Sequence, residues 1–148
     1  MPMRIMVTRG SCKVLDEENP VIEKRTAEYH FTATLQNTGN ESIYDADVTL
    51  NCSHPIHVTD YYSDLLPNHQ DANAASFRLS VPIHPNDRER HVSWLATAKP
   101  YPCINGVEPT RIRIEFIISA KDRQPETYVV EFDGHDRIPQ TKQAERVK

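Results

Sequence analysis

The fold is decided by residues 29–50, which read Tyr-His-Phe-Thr-Ala-Thr-Leu-Gln (29–36), Asn-Thr-Gly-Asn-Glu-Ser (37–42) and Ile-Tyr-Asp-Ala-Asp-Val-Thr-Leu (43–50). The first and last segments alternate apolar and polar residues, and the middle segment is a polar turn. Successive side chains of a strand point to opposite faces, so this period of two predicts two strands with one buried face each. Because the connection is longer than a two-residue hairpin loop, the strands either pair directly or cross between sheets.

The rest of the chain repeats this pattern. Five further strands are predicted at residues 4–14, 75–81, 90–97, 110–120 and 127–132. Gly10 is expected to form a bend or bulge in the first of them, and Trp94, the only tryptophan, to anchor the core. From Gly134 the sequence loses its periodicity, so we predict one domain at residues 1–133 and a polar, flexible tail at 134–148.

Two short motifs carry a family resemblance. One is the strand, Asn-Thr-Gly and Val-Thr-Leu pattern of residues 29–50, and the other is Val-Pro-Ile-His-Pro-Asn-Asp (81–87) followed by Val-Ser-Trp (92–94). They resemble bacterial immunoglobulin-like domains of the cell-adhesion-related (CARDB) type, whose pattern has glycine at the position of Asn86. The resemblance extends over residues 27–133 and implies an all-β, immunoglobulin-like antiparallel β-sandwich of about seven strands. Bacterial domains of this type often act as spacers or adaptors.

Composition limits the possible functions. The chain has 148 residues, a formal net charge of −4 and 38% hydrophobic residues, which suits one ordinary domain. A mildly acidic chain without a dense Lys/Arg cluster argues against nucleic-acid binding. No apolar run is long enough to span a membrane, and the first residues do not resemble a signal peptide. We therefore expect a cytoplasmic location, or an extracytoplasmic one if a leader has been removed.

Few residues suggest chemistry. The sequence contains no nucleophile elbow, phosphate loop or dinucleotide motif, so we expect a non-enzymatic protein without a cofactor. The one metal-like spacing is Cys52-Ser-His54-Pro-Ile-His57, since a thiolate and two imidazoles can hold copper or zinc. Strand parity instead makes Cys52 a buried small hydrophobe. With three cysteines in the chain, reduced thiols are expected, and a Cys52–Cys103 bridge is the alternative.

Residues 51–73 lack a clear period and are predicted to be a long loop. It is expected to hold either a short strand near Ile56–Val58 or a helical turn near Tyr62–Leu66. Long loops on rigid scaffolds carry function, which makes this segment the best candidate for a binding surface. The exposed interface candidates are Tyr61, Tyr62, Leu65 and Leu66, and their alternative role is to cover the end of the sandwich.

Three functions fit these observations. The favoured one is a non-catalytic protein-binding or assembly module that presents this loop face or a sheet edge to a protein partner or a second copy. The edge candidates are Ile5–Thr8 and Thr127–Phe132. The second function is a small copper- or zinc-binding protein that uses Cys52, His54 and His57. The third is a carbohydrate-binding module, which requires a flat exposed row of Tyr61, Tyr62 and Tyr101.

Overall fold

The computed structural model describes residues 3–21, 24–98, 111–133 and 138–147. Within these ranges the chain forms two antiparallel sheets of five and six strands. This confirms the all-β sandwich, with eleven strands where about seven were expected. The strands are β1 (Met3–Val14), β2 (Ala27–Asn37), β3 (Asp47–Cys52), β4 (Ile56–Tyr61), β5 (Leu65–Gln70), β6 (Ala74–Leu79), β7 (Arg90–Ala98), β8 (Arg111–Ser119), β9 (Glu126–Asp133), β10 (Gln140–Gln143) and β11 (Glu145–Arg146). Among the described residues, no helix is long and apolar enough to cross a membrane.

The strand order places the opening stretch on both layers. One sheet has the order β10-β1-β2-β7-β4 and the other β11-β9-β8-β3-β6-β5. β2 and β3 therefore lie in different sheets, and the segment between them crosses from one to the other. This decides between the two connections that the sequence left open.

The core lies between the sheets and is centred on Trp94, which is fully buried as predicted. Its ring stacks on Phe31 at a centroid distance of 5.4 Å and meets the edge of Phe116 at 6.1 Å. Stacked and edge-to-face pairs at these distances stabilise a core beyond the area they bury. The apolar residues that alternate along β2, β7, β8 and β9 are also buried, at Tyr29, Phe31, Ala33, Leu35, Val92, Ala96, Ile112, Ile114, Phe116, Ile118, Tyr128, Val130 and Phe132. The strands predicted at residues 110–120 and 127–132 pair with each other as β8 and β9.

Two residues at apolar positions of the alternating sequence pattern face solvent instead. Tyr44 is 53% exposed because Asp45 takes a positive φ of 49°, which interrupts the alternation before β3 begins at Asp47. Val81 is exposed because β6 ends at Leu79. Parity predicts burial only while the strand continues, and both residues lie beyond a strand end.

Two features of the turns follow from residue chemistry. Asn86 has a φ of 55°, which asparagine tolerates better than most residues, and it occupies the position where the resembled family has glycine. Asn37 acts through its side chain rather than through a positive φ. The side chain accepts a hydrogen bond from the Gly39 N–H at 2.9 Å and donates one to the Ile83 carbonyl at 3.0 Å. The reversal after β2 is thus held by an asparagine side chain.

Gly10 lies in a bulge, as predicted. The β1–β2 register shifts between Arg9 and Cys12, which brackets this residue. A Cβ at Gly10 would lie 3.1 Å from the His30 carbonyl oxygen, closer than most side chains come to backbone. The glycine therefore permits the close approach of β2 at the bulge.

The segment predicted to be a flexible tail forms two strands in its described part. β10 pairs with β1 and β11 pairs with β9, so each extends one sheet by a strand. Ala144, the single residue between them, is buried and donates its N–H to the Ile5 carbonyl at 2.8 Å. We call residues 140–147 the C-terminal strap and this flank of the sandwich the closed side. Backbone hydrogen bonds to the neighbouring strands hold the strap in place. Because this needs no buried side chains along β10 and β11, the sequence shows no apolar period here.

The two predicted sheet edges are wrong for the same reason. Ile5–Thr8 lies in β1, which pairs with both β2 and β10, and Thr127–Phe132 lies in β9, which pairs with both β8 and β11. The strands at the sheet edges are instead β10 and β11 on the closed side, and β4 and β5 on the other flank.

Candidate functional site

The flank opposite the strap is formed by β4 and β5, and we call it the open side. β4 ends the five-stranded sheet, β5 ends the six-stranded sheet, and residues 62–64 connect them directly. At one end of the flank, Leu65 N–H donates to the Tyr62 carbonyl at 2.9 Å. At the other end, Ile56 N–H donates to the Ala72 carbonyl at 2.8 Å. Between these two points, the described residues show no ladder that joins β4 to β5.

The sequence prediction of a long loop at residues 51–73 is therefore corrected. The expected strand at Ile56–Val58 exists and extends to Tyr61, and the alternative helical turn at Tyr62–Leu66 is a short turn leading into β5. Edge strands have few buried positions: after Leu65, every residue of β5 is exposed. Without a buried face, the sequence has no alternation from which the strand could be recognised.

The inner face of β5 is covered at one end only. Residues directly opposite each other on paired strands point to the same face, and Leu65, Pro67 and Gln70 are opposite Leu79, Phe77 and Ala75, all of which face the core. Leu65 is 1% exposed, whereas Pro67 and Gln70 are exposed. The sandwich is thus closed beside the 62–64 turn and uncovered further along β5.

The uncovered part forms a cleft of about 370 Å³ between β4 and β6. Its apolar lining consists of Val58, Tyr61, Pro67, Ala75 and Phe77. The Tyr61 ring is 41% exposed and lies 5.6 Å from the Phe77 ring, which forms part of the buried core. A volume of this order lies within the usual range for small-ligand and side-chain pockets.

The polar lining of the cleft is uncharged except for a titratable histidine. It consists of Asn68, His69, Gln70 and Ser76. His69 Nε2 lies 3.6 Å from an Asp71 carboxylate oxygen just outside the lining. These groups supply both hydrogen-bond donors and acceptors without a fixed charge.

A buried arginine holds the turn that joins the two strands. The Arg90 side chain is 3% exposed, and its guanidinium lies 3.4 Å from an Asp64 oxygen and 3.3 Å from an Asp87 oxygen. It donates to the Arg88 carbonyl at 2.8 Å and its Cζ lies 6.0 Å from the centre of the Tyr62 ring. The Arg88 N–H bond to its side chain, with Arg90 alongside, lowers the pKa of Asp87. Arg90 therefore fixes the position of residues 62–64 relative to β7.

The four interface candidates separate into different roles. Tyr61 lines the cleft, and Leu66 is 49% exposed on the outer face of β5. Tyr62 is half-buried, accepts a hydrogen bond from Arg88 at 3.1 Å and packs edge-on against His91 at 5.9 Å. Leu65 is a correction: it belongs to the core, because parity turns it inward while its neighbour Leu66 points out.

The three metal candidates are not brought together. Cys52 is a buried, free thiol at the end of β3, and burial raises its pKa. His54 bonds to Ser53 Oγ at 2.8 Å through Nδ1, and burial lowers its pKa. His57 is exposed on β4, opposite Leu95. Within the described ranges no three His, Cys, Asp or Glu side chains are grouped so that they could hold a metal ion.

Two of the predicted residues lie outside the described part of the chain. Cys103, the expected alternative partner of Cys52, is one, and Tyr101, required for the aromatic row, is the other. Sequence reasoning missed Pro67, Gln70 and Arg90 as site residues. Only Pro67 had a signal, since proline within a strand marks an edge. Nothing in the sequence distinguishes Arg90 from the surface arginines.

Two other clefts in the described ranges are lined by charged residues. A groove of equal volume, about 370 Å³, lies on the closed side and includes Glu131, Lys142, Glu145 and Arg146. A third, of about 300 Å³, includes Asp45, Lys121 and Asp122. The open-side cleft differs from both because no aspartate, glutamate, lysine or arginine lines it.

Comparison with family models gives no match, and comparison with curated proteins gives none either. Among solved structures, the chain is similar to AvmM, described as catalysing macrocyclization in alchivemycin A biosynthesis. The two share 12% sequence identity over 82% of this chain and 79% of that chain, with a TM-score of 0.33.

Proposed function

We propose that this protein is a non-catalytic protein-binding or assembly module whose partner site is the open side. The observation that supports this most directly is the exposure of inner-face positions on β5, at Pro67 and Gln70, beside the exposed Tyr61 ring. Apolar surface that a fold leaves uncovered beside rigid strands is typical of a recognition site. The cleft offers such a surface without requiring the scaffold to move.

Recognition here depends on side chains more than on strand addition. Pro67 has no N–H, and the β5 register shifts between Pro67 and His69. β4 has a bulge between Val58 and Asp60. Prolines and bulges on edge strands prevent pairing with another chain. A partner that enters the cleft avoids both obstacles.

Site-specific photo-crosslinking tests this proposal. A benzophenone amino acid replaces Tyr61 in one variant and Tyr44 in the matched control, since both tyrosines are exposed but Tyr44 lies outside the cleft. In the cells that produce the protein, we expect one discrete cross-linked protein from position 61 and none from position 44. Cross-linking from position 44 alone would place the partner elsewhere and reject the proposal.

A second candidate function, carbohydrate binding, is favoured by one observation. The exposed Tyr61 ring stands beside the amide side chains of Asn68 and Gln70 in an uncharged cleft, and neutral sugars use an aromatic face with planar hydrogen-bonding groups. The flat row does not extend to Tyr62, whose ring packs against His91. A glycan array probed with wild type and Tyr61→Ala distinguishes the two functions, because only a sugar site gives a signal that Tyr61→Ala removes.

A further inference from the structure

The open-side cleft contrasts in charge with the rest of the surface around it. Outside the lining, acids and bases form ion pairs at Asp47–Arg78, Asp64–Arg90 and Asp60–His91. Inside it, hydrogen-bonding capacity comes from amide, hydroxyl and imidazole groups alone. A charged side chain that entered would lose hydration, and the lining offers no aspartate, glutamate, lysine or arginine to compensate it. The Asp71 carboxylate just outside the lining already lies 3.6 Å from His69.

The floor and the rim of the cleft present different chemistry. Phe77 and Ala75 are buried and form an apolar floor, while Tyr61 and Pro67 stand on either side. Asn68 and Gln70 also line the cleft and are exposed, so we assign them to its rim, where their amides can bond to peptide groups of an inserted segment. An apolar floor beneath neutral donors and acceptors matches a peptide segment better than a free hydrocarbon.

We infer that the occupant of the open-side cleft is an uncharged, extended segment of a protein partner, with one aliphatic or aromatic side chain seated over Phe77. This inference rests on the proposed function and specifies the partner's chemistry. The lack of charge in the lining selects the neutral segment, and the apolar floor selects the anchor residue. One exposed aromatic ring, rather than a flat row, favours the peptide over a saccharide.

Substitutions that change charge but not shape test the inference. Gln70→Glu and Asn68→Asp each place a carboxylate in the lining, while Gln143→Glu makes the same change outside it, in the closed-side groove. A library of random linear peptides, displayed on phage, is panned against the full wild-type chain. Selected peptides are then measured on wild type, on the three variants and on Tyr61→Ala.

We expect the selected peptides to share one apolar residue flanked by uncharged residues. Their affinity should fall at least tenfold, which corresponds to about 1.4 kcal/mol, in Gln70→Glu and Asn68→Asp, and stay unchanged in Gln143→Glu. Circular dichroism of each variant verifies that the fold is retained. An added carboxylate would also be expected to select lysine-containing peptides in a second round of panning.

The possible failures are distinguishable. Peptides with a charged anchor that still depend on Tyr61 would overturn the inference while the proposed function stands. Peptides that bind equally well to Tyr61→Ala would reject the open side itself, and with it both proposals. Enrichment of no peptide, together with binding of neutral oligosaccharides that requires Tyr61, would assign the cleft to sugars. Enrichment of no ligand of either kind would equally count against the inferred peptide.

Discussion

On the closed side, the edge strands β10 and β11 are joined by one residue, Ala144, which is buried as part of the core. On the open side, the edge strands β4 and β5 are joined by residues 62–64, and the gap beyond Leu65 is left uncovered. Both flanks therefore use one chain segment to connect the two sheets. The two flanks differ in whether the inner-face residues of the connecting segment and its strands are buried. The closed side shows that this architecture can cover a flank, so the uncovered cleft is a feature of the open side itself.

The two flanks also differ in their charged side chains. On the closed side, Arg146 lies 3.1 Å from Glu126, which also accepts a hydrogen bond from Tyr128 at 2.8 Å. Burial and this hydrogen bond raise the pKa of Tyr128 to about 12. On the open side, the ion pairs hold the turn and the cleft lining has no fixed charge. Charged side chains thus line the closed-side groove, whereas no aspartate, glutamate, lysine or arginine lines the open-side cleft.

The largest loss of stability is expected when a charged side chain is buried on the closed side. Ala144→Glu would bury a carboxylate without a partner, which costs about 4 kcal/mol of unfolding free energy. Urea unfolding followed by tryptophan fluorescence measures the loss. Gln143→Glu, one residue away and exposed, is the control and should shift stability by less than about 0.5 kcal/mol. Equal effects of the two substitutions would mean that Ala144 does not close the flank.

The next prediction compares two neighbouring leucines at the start of the open side. Leu65→Ala removes a core side chain and should cost about 3 kcal/mol, whereas Leu66→Ala should cost less than about 0.5 kcal/mol. Chemical unfolding of the two variants under identical conditions gives the comparison. A similar loss in both would show that the core does not end between these residues.

A smaller effect is expected from the arginine that holds the turn. Arg90→Ala leaves Asp64 and Asp87 without their cation and should cost about 2 kcal/mol, less than for a fully buried pair because both carboxylates keep contact with solvent. The matched control is Arg78→Ala, whose ion pair with Asp47 is exposed and should contribute less than about 0.5 kcal/mol. Thermal unfolding of both variants tests the difference, and an equal loss would exclude Arg90 as the group that fixes the turn.

The smallest effect concerns pH. The pKa of Asp87 is lowered in the folded state, so its contribution to stability is present above the ordinary carboxyl pKa of about 4 and is lost as pH falls through the folded value. Asp87→Asn should therefore be less stable than wild type at pH 7 and approach it in acid. Urea unfolding midpoints of both proteins at neutral and acidic pH measure how much this stability difference decreases. If the stability difference stayed constant across this pH range, the pKa of Asp87 would not be lowered by folding.

The strands that could be predicted from the sequence are those that lie inside a sheet, between two other strands. In β2, β7 and β8, every second residue packs against the opposite sheet, and this pattern appears directly in the sequence. The edge strands β5, β10 and β11 have almost no buried positions, so their alternation is absent and they were assigned to a loop and a tail. Tyr61, at the end of β4, could be proposed as a binding residue because it is an aromatic residue in the stretch predicted to be a loop. Pro67, Gln70 and Arg90 could not, because their roles depend on cross-strand register and on contacts that are distant in sequence.

We propose that the partner binds the open side and not the closed side. Hydrogen–deuterium exchange, measured on the full chain alone and on the complex isolated by cross-linking at position 61, tests this at the level of single segments. We expect slower exchange at residues 56–70 in the complex and unchanged exchange at residues 140–147. Slower exchange at residues 140–147, with no change at residues 56–70, would contradict it.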